Sequence, residues 1–168
     1  MKFNSLQDVY VHELKDLYSA EKQIVDALPK MAEAASSDDL RTAFLDHLEQ
    51  SRGHMTKVND ILSSMSVNPG SVKCKGMEGL LKEGEDVMGT DGQSKAKDAA
   101  LIAAAQRVEH YEMAAYGAAR THAEELGHSD AASTLQTILD QEGKTNEKLT
   151  SIAEGGFMSK GVNQQASR

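Results

Sequence analysis

Residues 99–120 read AALIAAAQRVEHYEMAAYGAAR, and their spacing decides the fold. Ala has the highest helix propensity, and the stretch contains no Pro and a single Gly, Gly117. Steps of three and four pick out Ile102, Ala105, Glu109, Glu112, Tyr116 and Ala119, one stripe along a helix. The stripe is apolar at its ends and carboxylic in its middle. An unpaired carboxylate in a core costs several kcal/mol, so Glu109 and Glu112 must be protonated, paired or bound to a cation.

Outward from this helix, the same pattern recurs. On the C-terminal side Gly127 is placed to end it and Ser129 to cap a fourth long helix. That helix carries the stripe Ala131, Leu135, Ile138, Glu142, Thr145, Leu149 and Ile152, again with one carboxylate at its middle. On the N-terminal side, Asn68-Pro69-Gly70 and Gly89-Thr90-Asp91-Gly92 are turn clusters around a weaker helical patch. A connection this long inside a compact domain predicts a crossover with a short helix near 77–88. Before it, a second helix presents Leu40, Phe44, His47 or Leu48, Ser51, His54 or Met55, Val58, and Ile61 or Leu62. Ser36, Ser37, Asp38 and Asp39 supply the turn and cap that join it to the first helix. The first helix, capped by Ser5 with Asp8, runs Leu6, Tyr10, Leu14, Leu17, Glu21, Ile24, Leu28, Met31 and Ala35, and Pro29 is expected to kink it.

The spacing therefore predicts long helices near 5–34, 38–64, 95–126 and 129–154. Their short–long–short connections are those of an all-α four-helix bundle with a long crossover between the second and third. Residues 1–156 form the bundle, and 157–168 read as a polar C-terminal tail, disordered or bound to a partner. Twenty-six Asp and Glu against 18 Lys and Arg leave a formal charge of −8, which argues against a nucleic-acid or anionic-membrane partner. No apolar run approaches the roughly 20 residues of a membrane span. Cys74 is the single cysteine, so no intrachain disulfide forms, and a cytoplasmic location with a passive thiol is expected.

Residues equally far from a connecting turn lie at one level of an antiparallel pair. Glu21 is then level with about residue 52, and Glu109 and Glu112 with about residues 143 to 146, beside Glu142. The second helix adds Glu49, which lies off the stripe, or His54, which lies on it. The candidate metal ligands are Glu21, Glu49, His54, Glu109, Glu112 and Glu142. An oxygen-rich set with few imidazoles suits iron or manganese, as one or two ions. His47 and His110 are read as structural or supporting residues, and the methionines as core filling.

The stretches LQDVYVHELKDLYSAEKQIVDALPKM, KCKGMEGLLKEGEDVM and above all DAALIAAAQRVEHYEMAAYG resemble the YciE/YciF family of bacterial ferritin-like stress proteins. The resemblance implies a ferritin-like bundle, a homodimer, production under osmotic or oxidative stress, and a rubrerythrin-like dinuclear site. It carries Glu21 onto the first-helix glutamate, Glu109 and Glu112 onto the paired glutamates of rubrerythrins, and Glu142 onto the fourth-helix glutamate. Two departures stand out. Glu49 is followed by Gln50, Ser51 and Arg52 where Glu-x-x-His is expected, and Glu142 is followed at the same spacing by Thr145. Both expected imidazoles are missing unless His54 replaces one.

Two functions follow as expectations. One is a metal-dependent oxidoreductase acting on O2 or peroxide, with Tyr111 or Tyr116 near the metal as hydrogen-bonding or radical partner. The other is a non-catalytic stress-induced bundle that sequesters metal or binds a partner. Phe3 and Met158 are apolar residues available to a homodimer contact.

Overall fold

Ser5 starts the first helix by a reciprocal cap. Its hydroxyl accepts from the Asp8 N–H at 3.2 Å, and the Asp8 carboxylate accepts from the Ser5 N–H at 3.1 Å. The computed structural model describes residues 2–70, 72–156 and 160–167. Among these residues six helices follow in order: α1 Leu6–Ala34, α2 Asp38–Ser64, α3 Lys75–Gly89, α4 Ser94–Glu125, α5 Ser129–Glu154 and α6 Val162–Ala166. The four long ones begin and end within two residues of the ranges read from the sequence. α1 runs through Pro29 as one helix.

The turns work as their chemistry requires. Ser37 caps α2 by accepting from Leu40 N–H at 3.5 Å. The turn between α1 and α2 is stapled to α4, because Asp98, fully buried, accepts from the Ser36 N–H at 2.8 Å and the Ser36 hydroxyl at 2.5 Å. Gly127 ends α4 at φ 78°, a left-handed conformation that costs glycine nothing. His128 N–H then reaches Ala123 O at 2.8 Å and Gly127 N–H reaches Glu124 O at 3.0 Å, the paired closure of a Schellman motif. Ser129 does not cap α5, contrary to expectation: it is already helical, and His128 takes the cap position without a side-chain bond.

The crossover is docked rather than loose. Cys74 opens α3, its backbone N–H donating to Ser19 Oγ at 2.9 Å and its carbonyl accepting from Gln23 Nε2 at 3.1 Å. Its sulfur lies 2.9 Å from the Tyr111 hydroxyl, which donates to Asp16 at 2.8 Å. Burial, followed by the nearby Asp16, pushes the Cys74 thiol pKa up, which fits an inert structural thiol. The tail also differs from expectation. Residues 162–166 form α6, which packs against α4 and α5, and Val162 is buried in the core block that those helices share. The approach is close enough to require glycine at 161, where a Cβ would sit 2.2 Å from the Glu154 carbonyl carbon. The composition of the tail hid this because, among its described residues, one buried apolar side chain, Val162, carries the contact. Met158 lies outside the described residues, and Phe3 is exposed.

The core comes in two blocks. One gathers Ile24, Leu28, Phe44, Leu101, Val108 and Leu149 with the crossover; the other gathers Leu14, Leu17, Val58, Tyr116, Leu135 and Ile138. Each fully buried side chain of this size contributes about 1.5–3 kcal/mol. The starts of α2 and α4 share a block with the end of α1, so the crossover makes α4 run parallel to α2. Between the blocks, every long helix interrupts its apolar stripe at the same level. α1 places Glu21 there, α2 Ser51 and His54, α4 Glu109 and Glu112, and α5 Glu142. No described helix is long and apolar enough to cross a membrane.

Candidate metal centre

The polar layer is almost fully closed to solvent. Glu21, Glu112 and Glu142 are 0% exposed, Glu109 2%, His54 1% and His47 3%. Four carboxylates and two imidazoles thus share the layer between the two apolar blocks. Among the described residues, no Lys or Arg nitrogen comes within 4.0 Å of these carboxylates. Their charge must therefore be met by protons or by a bound cation.

Two overlapping groups can be distinguished. His47, Glu109, Glu112 and Glu142 each offer one ligand atom, all within 4.8 Å of one another. Glu21, His54 and Glu142 do the same. Glu142 belongs to both, its Oε1 lying 2.8 Å from His54 Nδ1 and its Oε2 3.9 Å from His47 Nδ1. His47 Nε2 sits 3.4 Å from Glu109 Oε1 and 3.9 Å from Glu112 Oε2. His54 Nδ1 is also 3.4 Å from Glu21 Oε1.

These atoms converge, yet most of them make no hydrogen bond. Both oxygens of Glu112 and of Glu142, one each of Glu21 and Glu109, both nitrogens of His47 and Nδ1 of His54 are buried without an aligned hydrogen bond. The 2.8 Å His54–Glu142 contact is close but off the direction of the ring N–H. Each orphaned buried polar atom costs about 1–3 kcal/mol. So many at one point form a donor set that fits a divalent cation rather than a finished network of internal bonds.

The surrounding bonds orient the layer. The Tyr116 hydroxyl donates to Glu21 Oε1 at 2.5 Å, leaving Oε2 free. His54 Nε2 lies 3.0 Å from Gln141 Oε1; donating that N–H leaves the Nδ1 lone pair directed at Glu21 and Glu142. In the metal-free protein, burial and then the charge of Glu142 hold the Glu109 carboxyl well above its ordinary range. Glu112 is raised likewise by burial, then by Glu142 and Glu21. Burial alone would lower His54, but the close carboxylates of Glu142 and Glu21 outweigh it and push the imidazole up to about 10. A cation bound in the layer would displace the protons held by these groups.

Of the six residues read as ligands, the structure brings together Glu21, His54, Glu109, Glu112 and Glu142. Glu49 is a correction: its side chain is 69% exposed and pairs with Arg52 at 2.5 Å on the outer face of α2. Its helical position, a quarter turn or more off the buried stripe, decides this. His110 is exposed and bonds its own helix through Gln106 O at 2.7 Å. His47, read from the sequence as structural or supporting, joins the ligand atoms. Its signal was present, since His47, Ser51 and His54 follow the i, i+4, i+7 spacing of one face.

The chain matches the family described as Domain of unknown function (DUF892) over residues 5–167. It is 42% identical over 165 residues to Protein YciF of Escherichia coli strain K12, covering 98% of this chain and 99% of that protein. The crystal structure of the Escherichia coli stress protein YciF superposes with a TM-score of 0.86 at 43% identity, over 89% of this chain and 94% of that one. YcfI of Rhodopseudomonas palustris gives 0.85 at 39% identity, over 89% and 96%. A Xanthomonas campestris protein at 20% identity and a TM-score of 0.70 shares the fold. The resemblance read from the sequence thus holds along the bundle, and the chain belongs to the DUF892 family, with YciF as a relative over nearly its full length.

Proposed function

We propose that this chain is a metal-binding stress protein whose buried carboxylate–imidazole layer holds one or two iron or manganese ions. The single observation that carries the reading is the collection of orphaned ligand atoms from four helices in one buried layer, with Glu142 common to two groups. The stress association comes from the relative, which is described as a stress protein. A bound iron or manganese ion would supply one-electron chemistry toward O2 or peroxide.

The chain's own residues have separable tasks. Glu109, Glu112 and His47 would hold one position, Glu21 and His54 the other, and Glu142 would join them. The Tyr116 hydroxyl fixes Glu21, and Gln141 fixes the His54 ring, so that both keep a free atom toward the site. The two apolar blocks above and below exclude bulk water and strengthen every charge interaction inside. Uptake of a divalent ion would release protons held by the raised carboxyls and by His54. The ferritin-like character and the homodimer belong to the same proposal.

Anaerobic reconstitution with Fe(II), elemental analysis, and then stopped-flow mixing with O2 test it. Tight uptake of one or two ions per chain with oxygen consumed in proportion to iron supports a redox role. Uptake without oxygen consumption leaves sequestration, and no uptake overturns the reading.

A further inference from the structure

The layer is buried, yet one side of it adjoins an apolar cavity. Leu28 and Met31 of α1, Phe44 of α2, Val108 of α4 and Leu149 of α5 form its walls, and His47 and Glu109 lie at its inner end. The cavity is small, with room for one water-sized or diatomic molecule. Its outer end is closed by Ala27 of α1 and Leu81 of α3, both half-buried. The same two residues line a second cleft, open to solvent between α1 and α3, whose other walls include Lys30, Lys82 and Glu85. Cleft, half-buried pair, apolar cavity and carboxylate layer are therefore contiguous, and the crossover helix forms their outer wall.

We infer that this passage admits dioxygen, a small apolar diatomic, to the His47–Glu109 edge of the layer, with Leu81 on the crossover as its gate. This rests on the metal-binding reading above and names the substrate class of that site. The wall chemistry makes the selection. A hydrated cation would lose its water against apolar side chains with nothing to replace it, so the ion does not travel this way. Hydrogen peroxide carries two O–H groups and would give up water hydrogen bonds along the same wall. Dioxygen has no such loss, and its size matches the space.

Dissolved dioxygen itself is the probe, through its paramagnetic effect on methyl relaxation in the metal-free protein. The enhancement at Leu28 and Leu149 should exceed severalfold that at Leu14 and Leu135, which are equally buried in the other block. Leu81→Phe should bring Leu28 and Leu149 down to the level of Leu14, and Leu81→Ala should raise them. Equal enhancement in both blocks, or values unmoved by both Leu81 variants, would overturn the passage. Co(II) uptake by the wild type, followed by its visible absorption, tests the metal reading separately. Oxygen entry without Co(II) uptake removes the metal reading and with it the role given to the passage. Co(II) uptake without oxygen entry removes the passage alone.

Discussion

Glu142→Gln is the substitution on which the two groups of ligand atoms should respond together. The change keeps the side chain's shape and removes its charge at the point the groups share. In the metal-free protein, two effects oppose. The Glu142 charge beside His54, at 2.8 Å, is lost, and with it a favourable charge contact. Against that, Glu142 is the neighbouring charge that most raises Glu109 and Glu112, so its removal relieves repulsion on both. Neither Glu142 oxygen has an aligned hydrogen bond to lose. Metal-free stability should stay within about 1 kcal/mol of wild type or rise. Metal affinity has no such offset: loss of a shared anionic ligand should weaken binding at least tenfold, about 1.4 kcal/mol. Anaerobic calorimetry with Mn(II) and urea unfolding of the metal-free protein, on both variants, give the pair of numbers. Unchanged affinity refutes the placement of Glu142 at the centre. A loss of metal-free stability beyond about 2 kcal/mol would show that the carboxylate serves the fold.

Glu49→Ala should leave metal affinity unchanged and stability within about 0.5 kcal/mol, because its pair with Arg52 is solvent-exposed; calorimetry and urea unfolding check both. Metal-free stability should fall as pH rises. Glu109 and Glu112 keep protons in the folded chain above the ordinary 4.5, and His54 keeps its own up to about 10, so their contribution is complete below the unfolded values and lost on the way up. Glu112→Gln should flatten that slope, whereas metal affinity should climb over the same range as protons stop competing; denaturant unfolding and Mn(II) titration at several pH values read the two opposite signs. Light scattering should return a homodimer, and a monomer at high concentration would end that part of the proposal.

The fold was legible because each helix repeats one apolar stripe and ends on turn chemistry that a sequence displays. Leu14, Leu17 and Ile24 bracket Glu21, and Ile138 and Leu149 bracket Glu142, so burial and level could both be counted. The difficulty arose where one residue carried a contact or where two cues disagreed. Among the described tail residues Val162 alone is a buried apolar side chain docking α6, which no periodicity reveals. Glu49 was included for its likeness to a ligand motif although its helical position was wrong, and geometry prevailed. His47 had the right position but lies one turn from the level counted for Glu21. The centre extends along the bundle, from His47 and Glu109 to His54 and Glu21, further than a single level suggests.

The most direct test is anomalous scattering from crystals grown with Mn(II). The account predicts a peak enclosed by His47, Glu109, Glu112 and Glu142, with a second, when occupied, between Glu142, Glu21 and His54. Manganese found only on exposed carboxylates such as Glu49, with the layer between the two apolar blocks empty, would contradict it.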